Sequence, residues 1–337
     1  MDRVLEIGGL AAGYCGRLLA RAGHDVVRAD TGPAPAGWAS GEALDLFLHG
    51  GKRRVRTADP SLLAELAGAA DVVVAEARCA SEIDGLGLDG WSAPVKVAIT
   101  PFGRSGPGRD WPATPHVLLA MGGYTALSGD PDRPPLSLPG HYVEFQTGQY
   151  ACTIVNACRL AGIHDNVDLS MLETVLSLSQ FTTAQWHCLG LVRARHGNDY
   201  WWVVPMNMFR VRDGWVYVNI VPGFWDAFTV FLGQPELALD ARFASNEARQ
   251  ANRDVLHAII QEAMAPLDRA EAERRAAECR IPVGAVRTFE EILSDPHLEE
   301  RGFWETVTTA GGDGLRQPGS AFHVHAGNSA SGAAGDA

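Results

Sequence analysis

The sequence predicts an α/β fold: a parallel β-sheet covered by helices on both faces, followed by a smaller α+β domain. Three observations carry that expectation. Apolar strand-like runs alternate with helical segments up to about residue 190, those runs are apolar on both faces, and beyond about residue 203 the pattern changes to an alternating hairpin followed by helices. At 337 residues the chain exceeds the size at which a single core usually stops growing, so two unequal domains are expected.

Taken in order, "RVLEI" (3–7) is a short apolar strand, "GGLAAGYCGRLLARAG" (8–23) turns through glycines into an amphipathic helix, and "DVVRAD" (25–30) is a second strand. Together they form a βαβ unit. Asp59 as N-cap and Pro60 at the first helical position open the next helix, ahead of the buried strands "DVVVAE" (71–76) and "VKVAIT" (95–100). Thr114 and Pro115 open another helix in the same way. A helix is predicted over 147–162, then the strand "NVDLS" (166–170) and one long helix over 171–190. In "NMFRVRDGWVYVNIV" (207–221) the alternation reverses at Asp213-Gly214, a hairpin signal, and the helices "GFWDAFTVFLG", "NEARQANRDVLHAIIQEAMA" and "DRAEAERRAAECR" follow. The expected division is a large domain over 1–190, a small α+β domain over 203–295, and a disordered tail at 326–337, which is small, polar and without anything to bury.

A formal net charge of −12, from 28 basic and 40 acidic residues, supplies no global positive field for a phosphate backbone or an anionic membrane. Nucleic-acid and membrane partners are therefore not expected. The N-terminus lacks a basic segment followed by a long apolar one, so the expected location is cytoplasmic. The 6 cysteines contain no Cys-x-x-Cys pair and read as reduced, mostly core residues, with no metal site.

Three stretches could carry chemistry. Gly8, Gly9 and Gly13 follow the first strand, and Asp30 ends the second, but their spacing is not the Gly-x-Gly-x-x-Gly that lets a backbone approach a pyrophosphate. A structural βαβ turn accounts for them better. The cluster "GKRRVR" (51–56) is either a solvated basic run or a local anion site. Glu144, in "HYVEFQTGQY" (141–150), stands three residues ahead of the predicted helix start at Thr147, where a carboxylate can serve the free N–H groups of the helix terminus or do chemistry.

Read in order, "VLEIGGLAAGYCGRLLARAGHDVVRAD", "GGKRRV", "DVVVAEA", "FGRSGPGRDWP", "AMGGYTALSGDPDRPP", "VDLSMLETV", "RHGN", "LGQPELALDARFASNEARQANR" and "SDPHLEERGFW" resemble the family III CoA-transferases, which include the α-methylacyl-CoA racemases. The resemblance spans about residues 3–308. It implies a Rossmann-like large domain, completed by residues of about 300–325, and an interlocked dimer, homotypic or with a related chain. It further implies that CoA or an acyl-CoA binds as substrate rather than as a permanent cofactor, across the large domain near Gly13, Lys52, Arg53, Ala77 and Arg78. A carboxylic acid is the second substrate. The family's aspartate nucleophile, just before a Thr-Gly, corresponds to Glu144, so the implied reaction is CoA transfer through an acyl anhydride and an enzyme-bound thioester.

Two departures stand out. Glutamate carries the same group as aspartate on one more methylene, and the family's Asn-Phe-Arg-Pro-Gly appears as "EARCA" (76–80), retaining Arg78 alone. In the racemase branch a histidine faces the aspartate; its position falls on Thr114, and His116 lies about 200° further round a helix. His141 is another candidate base. Proton transfer at the α-carbon, or a fold retained for binding a thioester, thus stands beside CoA transfer as an alternative.

Overall fold

The computed structural model describes residues 1–32 and 41–323; the predicted disordered tail lies outside the described residues. In chain order the elements are β1 (Arg3–Ile7), α1 (Leu10–Arg21), β2 (Asp25–Asp30), α2 (Gly41–His49), β3 (Arg53–Arg56), α3 (Pro60–Gly68), β4 (Val72–Glu76), α4 (Ala80–Leu86), β5 (Val95–Thr100), α5 (Pro115–Met121), α6 (Tyr124–Leu127), α7 (Tyr142–Ala161), β6 (Asn166–Ser170), α8 (Met171–Ser177) and α9 (Gln180–Leu189). There follow β7 (Met206–Val211), β8 (Gly214–Asn219), α10 (Trp225–Phe231), α11 (Asn246–Ala251), α12 (Arg253–Met264), α13 (Arg269–Cys279), β9 (Val283–Ala285), α14 (Phe289–Leu293), α15 (Pro296–Glu300), β10 (Trp304–Thr308) and β11 (Gly314–Pro318). One compact unit is drawn from Met1–Pro33 and Lys52–Arg287, and a second from Ala34–Gly51 and Thr288–Ala337. In the second, β10 and β11 form an antiparallel pair.

The first unit is built on a six-stranded sheet ordered β3-β2-β1-β4-β5-β6, all of whose pairs are parallel. Both faces are covered, as the apolar runs require: Val72, Val74, Val95 and Val97 face one core with α1 and α7, while Val73, Ala75 and Ala98 face another with α3. Each such fully buried valine stabilises the fold by about 1.5–3 kcal/mol relative to exposure. A separate core lies under the three-stranded antiparallel sheet β7-β8-β9, around Phe209, Val216, Phe228 and Ile260. Among the described residues no helix is long and apolar enough to cross a membrane.

Local signals hold well. Asp59 and Thr114 cap α3 and α5, with Pro60 and Pro115 in the first turn. The β7–β8 hairpin turns just before Gly214, as Asp213-Gly214 indicates.

Three helix boundaries differ from expectation, each for a nameable reason. The helix predicted to open at Thr147 opens at Tyr142: Gly140 takes a left-handed turn at φ +77°, His141 is the N-cap, and its carbonyl already accepts from Phe145 N–H at 3.0 Å. Thr147 does not cap; its hydroxyl donates to the Val143 carbonyl one turn back at 2.8 Å. The long helix predicted over 171–190 is two, because the Ser179 N–H and hydroxyl both close on the Leu176 carbonyl, at 2.9 and 2.8 Å. Asn252 likewise divides α11 from α12, its side chain donating to the Ala248 carbonyl at 2.9 Å. The basic run also gains a structure: Arg53–Arg56 forms the edge strand β3 beside β2.

The pairing of α7 with α1 decides where the site forms. A Cβ on Gly148 would stand 2.7 Å from the Ala11 carbonyl and 3.0 Å from Tyr14 Cβ. Glycine at 148 lets the two helix backbones touch, and the Tyr14 and Phe145 rings meet edge to face at 4.7 Å beside it.

Candidate active site

In the sheet, the strand order reverses between β1 and β4, and in open parallel sheets ligands bind beyond the carboxyl ends of the strands at that switch point. Gly8 and Gly9 follow β1 there, and Glu76 ends β4. They are mutually fitted. Gly8 has φ +99° and a Cβ on it would stand 2.0 Å from the Glu76 carbonyl oxygen, while a Cβ on Gly9 would stand 2.1 Å from Glu76 Oε1. The glycines that failed the dinucleotide spacing make room for a glutamate.

Glu76 reaches the first turn of α1, where its Oε2 accepts from Ala12 N–H at 2.9 Å. Burial pushes its carboxyl up to about 7; the nearby Glu144 charge pushes the same way, while the Ala12 and Ala11 N–H groups and Arg28 pull it back down. A rim of the residue stays accessible, but the carboxyl itself is packed round by protein.

Glu144 lies in the first turn of α7, one turn before the Gly148 contact with α1, and is only 8% exposed. Its Oε1 is 3.3 Å from His141 Nδ1. Its Oε2 is buried and has no hydrogen-bond partner among the described residues. A buried carboxylate oxygen without a donor costs free energy that packing alone does not return. This corner can supply a carboxylate nucleophile or base with an imidazole beside it, and the Glu76 carboxyl sits at the first turn of the facing helix α1.

The structure thus brings Glu144 and His141 together. His116, exposed on α5, bonds instead to Ser137 Oγ at 2.8 Å. Gly13 is buried within α1, and its carbonyl accepts from Lys52 Nζ at 2.8 Å. The Lys52 side chain is fully buried against Glu6, whose other oxygen takes Arg28 at 2.5 Å. Burial pulls the Lys52 ammonium below its ordinary range, with Glu6 opposing. Arg53 is exposed on Asp25 at the sheet edge. Arg78, exposed, pairs with Glu82 on α4, donating from Nε at 2.7 Å. Ala77 N–H continues the ladder to the Ile99 carbonyl at 3.0 Å.

Sequence reasoning missed Glu76 and Glu6. The signal was present: each is an acidic residue inside or ending an otherwise apolar strand, a residue type rarely buried unless it has partners.

The model of the family described as CoA-transferase family III matches residues 2–333. The chain is 29% identical over 329 residues to the succinyl-CoA–D-citramalate CoA-transferase of Chloroflexus aurantiacus, covering 89% of this chain and 81% of that one. It is 25% identical over 351 residues to the succinate–glutarate CoA-transferase of Agrobacterium fabrum, covering 94% and 86%. Among solved structures, a CAIB/BAIF family protein from Brucella suis superposes with a TM-score of 0.78 at 25% identity, over 90% of this chain and 87% of that one. With this fold and a match over nearly its whole length, the chain belongs to CoA-transferase family III.

Proposed function

We propose that this protein moves CoA between two carboxylic acids and that Glu144 is the carboxylate through which it passes. The observation that carries the reading is the buried Glu144 oxygen without a hydrogen-bond partner among the described residues, in the first turn of α7 one turn before that helix meets α1, on the residue that the resemblance sets at the family's nucleophile. A Glu144 oxygen adds to the thioester carbonyl carbon, the C–S bond breaks, and CoA leaves as thiolate with the electron pair, giving a mixed anhydride. The thiolate then attacks the Glu144 carbonyl carbon and the donor acid departs as its carboxylate. An acceptor carboxylate next attacks this enzyme thioester, again releasing CoA thiolate. Attack of that thiolate on the acceptor's acyl carbon completes the transfer and restores Glu144. His141, at 3.3 Å, orients the carboxylate. Exposed Arg53 and Arg78 are the side chains we assign to CoA's phosphates, with Lys52, Gly13 and Ala77 shaping the backbone behind them.

Trapping tests this directly. Succinyl-CoA with hydroxylamine should leave a hydroxamate on the peptide holding Glu144, and labelled succinate should exchange into CoA ester. An unmodified Glu144, with no exchange across a panel of short mono- and dicarboxylic acyl-CoAs, would overturn the proposal.

We also propose a homodimer. No residue of α9 is buried, and Phe181, Trp186 and Leu189 are 53%, 62% and 74% exposed on it, an apolar surface that a second copy would cover. Sedimentation equilibrium should give twice the 36.1 kDa chain mass; a monomer at micromolar concentration would refute the dimer.

A further inference from the structure

We propose that Tyr14 of α1 is a positioning residue for the reaction: its ring seats Phe145, Phe145 seats the His141 imidazole, and His141 aims the Glu144 carboxylate. The inference rests on the reading of Glu144 as the acting carboxylate. Each link is a contact in the structure. The Tyr14 and Phe145 rings meet edge to face, with centroids 4.7 Å apart and planes at 72°. Phe145 also stands at 90° to the His141 ring, with 6.2 Å between centroids. His141 Nδ1 lies 3.3 Å from Glu144 Oε1.

His141 needs such a support because the backbone does not supply one. It is the N-cap of α7, with φ −98° and ψ 42°, so its side chain starts outside the helical frame. That side chain is 36% exposed, and the torsion that turns an imidazole about its own axis is broad, so solvent alone would leave Nδ1 facing Glu144 only part of the time. A ring packed at a right angle to it restricts that rotation. Phe145 can do so because it lies one turn after His141 on the same face, its N–H donating to the His141 carbonyl at 3.0 Å. Phe145 is in turn held from the neighbouring helix. A Cβ on Gly148 would stand 3.0 Å from Tyr14 Cβ, so the glycine lets the stem of Tyr14 lie against α7 one turn after Glu144, with its ring on Phe145. The carboxylate therefore takes its orientation from a residue of another helix.

Steady-state kinetics of CoA transfer and the NMR signal of one histidine test the relay together. Tyr14→Leu removes the ring and should lower kcat about tenfold, with KM for acyl-CoA within about twofold of wild type. Tyr14→Phe keeps the ring and should stay within about twofold of wild type in both. In a His141→Ala background, where the last link is gone, Tyr14→Leu should cause no further loss. In protein labelled with nitrogen-15 at histidine, the ring signal that disappears in His141→Ala should shift in Tyr14→Leu and hold its place in Tyr14→Phe. An equal loss in Tyr14→Leu and Tyr14→Phe, or a loss that persists without His141, overturns the proposal, and so does an unmoved His141 signal. If Tyr14→Leu does not fold by circular dichroism, Phe145→Leu in the same two backgrounds decides it. The two readings fail separately. A wild type that transfers no CoA removes the reaction, whereas a wild type and a Tyr14→Leu protein that transfer it equally fast remove the positioning role.

Discussion

Glu144→Gln is expected to lower CoA transfer by at least about 10³-fold, because the amide keeps the shape of the side chain but has no nucleophilic oxygen pair to form an anhydride. Its fold should survive. Glu144 is held through its 3.3 Å approach to His141 and by packing, and its other oxygen has no partner to lose, so the melting temperature should stay close to wild type. Glu144→Asp is the sharper test. Withdrawing the carboxylate by roughly one methylene should cost about 100-fold, as displacement of a reacting atom by about 1 Å does elsewhere. Single-turnover transfer from succinyl-CoA, with circular dichroism as the folding control, measures both. A Glu144→Gln protein within tenfold of wild type would take Glu144 out of the reaction.

Lys52→Met is expected to destabilise the protein by about 3–5 kcal/mol, the range for removing one partner of a buried charge pair. The Lys52 and Glu6 side chains are both fully buried, and the lysine also donates to the Gly13 carbonyl of α1 at 2.8 Å, so its loss removes one cation from a carboxylate in the core that also pairs with Arg28. Gly16 shows how tight the cluster is: a Cβ on it would stand 1.9 Å from Glu6 Oε2. The neighbouring Arg53→Ala should cost less than about 1 kcal/mol, since its partner Asp25 sits at an exposed edge. Urea unfolding compares the two. Adding Glu6→Gln to Lys52→Met should recover part of the loss, because the core then no longer has to hold a carboxylate that has lost its ammonium. Equal midpoints for the Lys52 and Arg53 variants would show that the buried pair carries no such weight.

Much of the fold was legible because the deciding interactions are local. The strands Arg3–Ile7, Asp25–Asp30, Val95–Thr100 and Asn166–Ser170 begin and end where their apolar runs do. The caps at Asp59 and Thr114 depend on a side chain and an N–H two or three residues away. Helix ends set by a competing hydrogen bond were less legible. Ser179 and Asn252 sit inside good helical patterns and still interrupt them, and nothing in the periodicity distinguishes a serine that bonds forward to water from one that closes on Leu176.

The sequence by itself determined the α/β class, the hairpin at Asp213-Gly214, the family, and Glu144 as the carboxylate to watch. It also placed Lys52 in a basic run that reads either as a solvated surface or as an anion site. Only the tertiary structure decided that Lys52 is spent on Glu6, that Glu144 lies inside a helix rather than before it, and that Glu76 is packed on Gly9 and the first turn of α1. The physical reason is common to all three. Desolvation and charge coupling depend on which atoms surround a group, and those atoms come from residues such as Ala12 and Glu76, 64 positions apart. No window of the sequence holds both.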